Sequence, residues 1–442
     1  MQIMVTRFAL SLVLCLASVS AAFAQARNDT PLSQFLPDLL TRRVILAPPA
    51  VGIDHSAHFI AGIEQEVAPF FFNQALVSQL SRIPLGSSSG GFTFRFDPAA
   101  GTFARTTPTF GPSFAERAVT VGRGKVTFGF NFQRATYDGF EGSDLDGDIR
   151  FYLRHIPFAS PPVFFEGDVV EETLRLDLKT STSILFGSYG VTDQLEIALA
   201  VPIVSVDLKA DVDARILRLA TQTSVDIHRF PNGSDQATFS DTGSASGIGD
   251  ILVRAKYVFA QFEDGGLAAG VDLRLPTGDE DELLGIGTTQ ATAMFIGSRQ
   301  YGRFSPHFNV GYTFSGEADT PLGFLAPLGN DEFAYTFGTE IQASPRVTIN
   351  ADVLGRTLLD VGRLEEQDRV FSFMSAAGVP GSQTFQEFTP IPDSNLNTLT
   401  GTVGAKVNLF GNFLLSGSVL FPLKKSGIYD NLTPVIGIDY VF

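Results

Sequence analysis

Residues that could form disulfides or membrane-spanning helices are scarce in this sequence. Its 442 residues include one cysteine, Cys15, and no tryptophan. Beyond residue 24, no apolar run reaches the about 18 residues that a membrane-spanning helix requires. One cysteine excludes a disulfide framework within the chain. The missing apolar runs exclude a helical membrane protein.

The balance of charges excludes one class of partner. The 31 Lys and Arg residues are outnumbered by 47 Asp and Glu residues, so the formal net charge is −16. Nucleic-acid-binding proteins carry an excess of cations on one face, and we therefore expect no nucleic-acid partner. Phenylalanine and glycine are abundant instead, at 41 and 43 residues. An apolar chain without a spanning helix is typical of a membrane β-barrel, whereas a soluble periplasmic protein is the alternative.

The first 24 residues predict a secretory signal peptide. Arg7 is the only charged residue there, an apolar run follows, and Ala22 and Ala24 form an A-x-A cleavage site. A membrane anchor is the alternative, but the apolar run is too short to span a bilayer. Cleavage after Ala24 would remove Cys15 and leave a chain without a thiol.

The last ten residues predict a strand at the closing edge of a barrel. Ile436, Ile438, Tyr440 and Phe442 share one face, and Asp439 lies on the other. A strand that ends on an aromatic residue leaves an adhesive edge unless another strand pairs with it, and barrels remove such edges. The ending also resembles the assembly signal of bacterial outer-membrane proteins. That resemblance implies recognition by the outer-membrane assembly machinery.

Alternation of apolar and polar side chains repeats along the rest of the chain and predicts about twelve strands. An even number suits a single-chain barrel. At Pro202 the apolar set shifts from odd to even positions, and because proline cannot donate to the ladder we expect a bulge there. The predicted strands are 125–133, 174–179, 195–201 continued by 204–209, 250–259, 270–275, 289–297, 304–314, 333–342, 347–356, 402–409, 413–421 and 433–442.

Short and long connections alternate between these strands. Short periplasmic turns and long outer loops are typical of outer-membrane barrels. This pattern places both chain ends in the periplasm. The short turns are 189–194, 261–266, 299–303, 344–346 and 410–412, and the long polar loops are 138–168, 213–246, 276–288, 315–330, 358–395 and 422–430.

The segment 25–117 differs from the rest. Residues 32–44 and 64–83 have helical spacing, and residues 92–96 and 102–105 predict a hairpin too short to span a membrane. We therefore divide the chain into a signal peptide (1–24), an N-terminal segment (25–117) and an outer-membrane barrel (118–442). Two interpretations of the N-terminal segment stay open: a plug inside the barrel, or a periplasmic segment.

Three glycine-rich motifs resemble those of a known family. Tyr189 to Asp193 reads YGVTD, Gly247 to Asp250 reads GIGD, and Leu275 to Asp279 reads LPTGD. These are similar to motifs of the MetA-pathway phenol-degradation barrels, and the resemblance covers residues 189–442. It implies an outer-membrane transporter of a family in which some members are associated with uptake of aromatic compounds.

No arrangement of residues predicts catalysis or a metal site. Ser305, His307 and Asn309 share a strand face, but such residues lie about 7 Å apart per step, too far for a nucleophile to bond its base. Residues 144–148, DLDGD, lack the spacing of a calcium loop and predict a polar turn. The histidines show no ligand spacing. We expect no enzyme activity, no cofactor and no metal.

Charged side chains on the polar strand faces must point into the barrel, because an Arg or Lys at the bilayer midplane costs about 2–4 kcal/mol against lipid. They would form either a salt-bridged, closed interior or a polar pore lining. At the closing seam we expect Lys125 to meet Asp439. The residues predicted to line the lumen are Arg175, Asp177, Lys179, Arg254, Lys256, Asp272, Arg274, His307, Glu340, Asp352, Arg356 and Lys406.

The sequence therefore predicts an all-β transmembrane antiparallel barrel in the bacterial outer membrane. It would act as a channel for passive uptake of small, apolar or aromatic solutes. A structural or surface-binding barrel with a closed lumen is the alternative. The expected partners are outer-membrane lipid, lipopolysaccharide, the assembly machinery and the small-molecule solute.

Overall fold

The computed structural model describes residues 30–48, 59, 63–80, 82, 84, 86–88, 91–97, 99, 101–155, 164–222, 227–316 and 329–442. The expected signal peptide, with Cys15, lies outside these ranges. So do His55 and His58. Within these ranges, no helix is both long enough and apolar enough to cross a membrane.

The chain begins with helices and then consists of strands. Helix α1 (Leu32–Pro37) continues as a π-helical turn (Asp38–Arg42), and helix α2 spans Ile63–Leu80. The strands that follow are β1 (Phe94–Asp97), β2 (Thr102–Arg105), β3 (Val126–Thr136), β4 (Gly139–Phe140), β5 (Ser143–Asp144), β6 (Asp146–Arg154), β7 (Val169–Gly190), β8 (Leu195–Leu217), β9 (Gln236–Ile248), β10 (Ile251–Phe262), β11 (Gly265–Leu275), β12 (Gln290–Arg299), β13 (Phe304–Ser315), β14 (Glu332–Ser344), β15 (Val347–Leu358), β16 (Arg363–Met374), β17 (Pro380–Ile391), β18 (Leu396–Phe410), β19 (Phe413–Lys424), β20 (Ile428–Tyr429) and β21 (Thr433–Val441).

Twelve of the described strands close into an antiparallel barrel, as the alternation predicted. The order around the barrel is β7, β3, β21, β19, β18, β15, β14, β13, β12, β11, β10 and β8, and β8 pairs again with β7. The seam between the first and last wall strands runs from Val435 opposite Gln133 to Val441 opposite Thr127. Closure satisfies the backbone ladder, which a strand in lipid cannot leave unpaired.

The two ends of the barrel differ in their connections. At one end, here called the inner end, the five turns predicted to be short are two to four residues long. The opposite, outer end carries the long connections. Large apolar side chains on the outside of the wall, among them Phe259, Phe337 and Ile436, are exposed and form the lipid-facing belt.

The bulge predicted in β8 is wrong. Pro202 lies opposite Ile184 in an unbroken register with β7. The extra residue of the irregularity lies instead between β9 and β10, the two strands that pair with this side of β8. Up to Ala200, β8 pairs with β10, and from Ile203 it pairs with β9. The N–H of Gly249, between those two strands, donates to the carbonyl of Pro202 at 2.9 Å.

The outer face of β8 meets lipid on one side of Pro202 and water on the other, and this change explains why the apolar side chains switch faces there. Toward the inner end, the outward side chains of β8, such as Leu199, are exposed as the lipid belt requires. Toward the outer end, the inward residues Val206 and Leu208 are buried, and the outward residues Asp207 and Lys209 are exposed. Strands β7 and β8 therefore continue beyond the membrane, where water replaces lipid on their outer face.

The outer end is covered by a cap of helices and short strands. Phe72 and Leu76 of α2 pack in one buried cluster with Leu176 of β7, Leu208 of β8 and Phe140 of β4. Four stretches predicted to be loops contain strands. Strands β4, β5 and β6 lie within 138–168, most of β9 lies within 213–246, the β16–β17 hairpin lies within 358–395, and β20 lies within 422–430. Strand β9 and the β16–β17 hairpin were missed because water-exposed strands lack the apolar face that reveals a wall strand.

Candidate functional site

The described residues from Gly86 to Gly124, here called the lumen segment, hydrogen-bond to inward-facing side chains of the barrel. The N–H of Gly111 donates to Glu340 of β14 at 2.6 Å, and the N–H of Phe114 donates to Asp352 of β15 at 2.9 Å. The hydroxyl of Ser113 lies 2.9 Å from the side-chain oxygen of Asn350. The backbone donors of Gly111 and Phe114 are thus satisfied by side chains of the wall and not by a secondary structure of the segment itself.

The same pattern continues along the segment to other strands. The N–H of Glu116 donates to Asn309 of β13 at 2.7 Å, and the N–H of Val121 donates to Glu196 of β8 at 2.7 Å. Between them, the N–H of Ala118 donates to a serine hydroxyl of β12. The boundary drawn from the sequence at residue 117 falls inside this run of wall contacts.

A buried ion cluster joins the lumen segment to strands β8, β10 and β11. Nζ of Lys256 lies 3.1 Å from Glu116 and 3.1 Å from Glu196, and its side chain is fully buried. Arg254 also contacts Glu116 and bonds both carboxylate oxygens of Asp272, at 2.6 and 2.5 Å. A buried charge is tolerated only when it is paired in this way.

A second cluster surrounds Glu340. Its carboxylate lies 2.9 Å from Nε2 of His307 and 3.8 Å from Arg117 of the lumen segment. His307 is therefore engaged with Glu340 across the strand pair. Ser305, on the same face of β13, is buried beside it. Of the other two residues in the pattern on β13, His307 bonds Glu340 of the wall and Asn309 bonds the backbone of Glu116 in the lumen segment.

A cavity of about 370 Å³ lies between the lumen segment and the cap. Phe114 of the lumen segment lines its inner end, and Gln79 of α2 and Tyr429 of β20 line its outer end. The N–H of Ile428 donates to Gln79 at 2.9 Å, which joins the cap elements above the cavity. Strands of the barrel wall supply most of its lining, in which threonine hydroxyls stand beside apolar side chains.

Arginine side chains dominate the outer half of this cavity. Arg356 bonds both oxygens of Glu332 at 2.8 Å and donates to the carbonyl of Arg82 at 2.6 Å. Nε of Arg82 lies 3.6 Å from Glu332, and its Nη1 donates to the carbonyl of Ser78 at 2.6 Å. Arg274, on the wall beside them, lines the same cavity.

Nine of the residues predicted to line the lumen lie on neighbouring wall strands, and each of them is half-buried or buried. They are Arg254, Lys256, Asp272, Arg274, His307, Glu340, Asp352, Arg356 and Lys406.

Three of the predicted lumen residues lie elsewhere. Arg175, Asp177 and Lys179 are on the outer face of β7 beyond the lipid belt. Nζ of Lys179 bonds Asp177 at 2.6 Å, and Arg175 pairs with Asp213. Their apolar neighbours on β7 are the ones that face inward, where they pack against the cap. The prediction failed because it assumed lipid outside the wall along the whole strand.

The expected contact between Lys125 and Asp439 is also wrong. Asp439 pairs with Gly129, so Lys125 lies beyond the end of β21. Its ammonium group instead lies 5.3 Å from the ring centre of Phe94 and 4.8 Å from that of Phe103, in the β1–β2 hairpin. The two strands are neighbours, as predicted, but their register is offset by four residues. Tyr440 and Phe442 remain on the lipid side, with ring centres 4.6 Å apart.

The sequence did not reveal the lumen partners Arg82, Glu116, Arg117 and Glu332. Three of them precede the barrel, where no strand period marks an inward face. Glu332 begins β14, at the edge of a long connection. Glu196 alternates with the apolar residues of β8, and this alternation was sufficient to predict that Glu196 faces the lumen.

The cap contains a buried acid with a perturbed pKa. Asp168 accepts hydrogen bonds from the N–H of Ala220, from the backbone and hydroxyl of Thr221, and from Nδ1 of His228, which lies 2.8 Å away. Burial alone would raise the pKa of Asp168, but the hydrogen bonds from His228 and Thr221 outweigh it and hold this pKa below its ordinary value.

Comparison with known proteins gives one family match. Residues 165–357 match the model of the family described as "Putative MetA-pathway of phenol degradation". The match confirms the resemblance seen in the glycine-rich motifs, over a shorter span than those motifs suggested. No curated protein matches the sequence.

Several solved outer-membrane proteins are similar at low identity. An outer membrane channel from Pseudomonas putida F1 is 13% identical, with 74% of this chain and 98% of that chain covered and a TM-score of 0.42. A FadL homologue from Pseudomonas aeruginosa is 10% identical (81% and 98% covered, TM-score 0.33). The toluene transporter TbuX from Ralstonia pickettii is 11% identical (73% and 90% covered, TM-score 0.27). Similarities this weak carry no argument, and the fold rests on the strand register.

Proposed function

We propose that this protein is an outer-membrane channel through which small, apolar or aromatic solutes enter by diffusion. The observation that carries the proposal is the cavity of about 370 Å³ lined by the wall, the cap and the lumen segment. A barrel that served only as a scaffold would gain stability by filling this space. The description of the matched family supports the choice of an aromatic solute.

In this proposal the lumen segment is a plug. Backbone donors from Phe110 to Val121 bond to five strands of the wall, which supports a closed resting state. Solutes would pass when these bonds rearrange. Each bond is replaceable by water, so its loss costs little once the space is hydrated. The ion cluster around Glu116 is the part that resists opening.

The export steps belong to the same proposal. The N-terminal 24 residues would direct secretion, and the terminal Tyr440 and Phe442 would be recognised by the assembly machinery. Lipopolysaccharide would surround the outer part of the lipid belt. The inward position of Ser305, His307 and Asn309, away from lipid, supports a channel over a lipid-modifying enzyme.

Swelling of proteoliposomes tests the channel. Vesicles containing the full chain are placed in an isotonic solution of a small aromatic solute such as phenol, and swelling reports entry. We expect faster swelling than in protein-free vesicles, and faster still after deletion of residues 86–121. If the deleted form inserts as a barrel and neither form conducts solute, the alternative of a closed structural barrel replaces the channel.

A further inference from the structure

The outer half of the lumen cavity carries more positive than negative charge. Three guanidinium groups, those of Arg82, Arg274 and Arg356, and the ammonium group of Lys424 line it, together with the carboxylates of Glu332 and Asp430. Arg274 and Arg356 are both close enough to act electrostatically on Arg82. This concentration of cations is unexpected in a chain whose formal net charge is −16.

Two of the described acids that line the cavity are already bound by arginines. Glu332 is bound at both oxygens by Arg356 and lies 3.6 Å from Arg82. Asp272, lower on the wall, is held at both oxygens by Arg254. Arg254 is in turn part of the ion cluster of the lumen segment, in which it also contacts Glu116.

One further acid, Asp250, lies within electrostatic range of Arg274. Its two oxygens accept the N–H groups of Gly278 and Ile286, at 3.1 and 3.0 Å. With Asp250 included, the described side chains of this half comprise four cations, Arg82, Arg274, Arg356 and Lys424, and three anions, Glu332, Asp430 and Asp250. Among the described residues the outer half of the cavity therefore carries an excess of one positive charge, and buried members such as Arg82 interact with other charges more strongly than they would in water.

The rest of the lining fits a molecule with an apolar body. Leu252, Leu354 and Leu420 contribute apolar surface to the same cavity, and threonine hydroxyls from several strands stand between them. A guanidinium group presents paired N–H donors that match a carboxylate. The combination of paired donors with an apolar wall suits a small aromatic carboxylate better than a hydrocarbon.

We propose that the cavity selects small organic anions, namely carboxylates with an aromatic or apolar body, and that Arg82, Arg274 and Arg356 form the selecting site. This inference rests on the proposed channel function, which it makes more specific. The neutral aromatic solutes of that proposal would pass the same cavity more slowly than their carboxylate counterparts.

Uptake of three probes of similar size by proteoliposomes tests whether the cavity selects solutes by charge. The probes are benzoate, neutral benzamide and the benzylammonium cation, each measured with the full chain. We expect benzoate to enter about tenfold faster than benzamide, and benzylammonium to be slowest. In planar bilayers under a potassium chloride gradient, the reversal potential should show preference for chloride, although the chain as a whole is acidic.

Two variants test whether the preference for benzoate arises from the arginine site. Arg274→Gln should bring benzoate and benzamide to nearly equal rates. Arg215→Gln, a matched change on the exposed outer face of β8, should leave the preference unaltered. Equilibrium dialysis of radiolabelled benzoate against detergent-solubilised protein should show binding that is weakened at least about tenfold in Arg274→Gln.

The outcomes distinguish this inference from the channel itself. Equal rates for benzoate and benzamide in the unmodified protein, or a preference that survives Arg274→Gln, would overturn the anion site and leave the channel intact. If no probe enters at all, the proposed function fails. Dialysis then still decides whether the cavity binds anions, because saturable binding supports the site and its absence refutes it.

Discussion

Gly111 donates its backbone N–H to Glu340 at 2.6 Å, and this bond fixes the lumen segment to strand β14. The same carboxylate lies 2.9 Å from His307 of β13 and 3.8 Å from Arg117 of the lumen segment. Glu340 is fully buried. Two of these three partners, Gly111 and Arg117, belong to the segment, so Glu340 keeps only His307 among them if the segment leaves.

Neutralising this carboxylate should loosen the segment. In Glu340→Gln the positive charge of Arg117 loses a buried partner, and breaking such a pair costs about 3 kcal/mol. We expect a lower denaturation midpoint in detergent and faster proteolysis between residues 86 and 124. The control is Asp177→Asn, an exposed acid on the outer face of β7, which should change stability by less than about 1 kcal/mol. Equal stability of the two variants would contradict the role given to Glu340.

A reversible tether tests whether the lumen segment must move for solutes to pass. The side chains of Ser113 and Asn350 are 2.9 Å apart, so Ser113→Cys with Asn350→Cys places two thiols within bonding reach. Oxidation should stop solute entry into proteoliposomes, and reduction should restore it. Each single cysteine variant is the control and should respond to neither treatment. Unchanged entry through the cross-linked protein would show that the path avoids the segment.

The register of the closing seam gives a prediction for cross-linking in the membrane. Thr127 and Val441 are direct partners in the ladder between β3 and β21. A Thr127→Cys, Val441→Cys variant should therefore form a disulfide on oxidation, and a Lys125→Cys, Asp439→Cys variant should not. The readout is the electrophoretic mobility of the unboiled and boiled protein. A cross-link in the second variant alone would mean that the register is shifted.

The position of the two barrel ends can be checked with matched insertions. Gly378, in the turn of the β16–β17 hairpin, and Gly302, in a short inner turn, both adopt positive φ with open space around them. An epitope inserted at Gly378 should be labelled on intact cells. One inserted at Gly302 should be labelled only after the outer membrane is permeabilised. Labelling of the Gly302 epitope on intact cells would reverse the orientation.

Acid should loosen the cap. Because His228 and Thr221 hold the pKa of Asp168 below its ordinary value, the ionised acid stabilises the folded cap. That contribution is fully present above the ordinary carboxyl pKa of about 4 and is lost as the pH falls through the lower folded value. Hydrogen exchange of Ala220 and Thr221 should accelerate over this range. In Asp168→Asn the exchange should be faster at neutral pH and should lose this dependence on acid.

The wall of the barrel could be predicted from the sequence, but the contents of the lumen could not. Alternation is a local property, imposed on each strand by lipid outside and polar groups inside, and it located all twelve wall strands. Partners across the lumen, such as Glu116 and Lys256, are separated by many residues, and no local pattern links them. Arg175, Asp177 and Lys179 show the limit of the rule. These charged residues alternate with apolar residues as the rule requires, but they lie on the outer face of β7, where the strand is surrounded by water and not by lipid.

The order of elements along the lumen also limits how the channel can open. Helices α1 and α2 lie in the cap at the outer end, whereas the chain enters the wall at Lys125, at the inner end. The lumen segment is thus held from both sides. Withdrawal toward the periplasm would pull two helices through the barrel, and withdrawal outward would pull β3 out of the wall. Each is far more costly than breaking side-chain contacts. A passage must therefore form by sideways displacement of the segment within the barrel, with both of its ends fixed, so opening should be fast, partial and fully reversible.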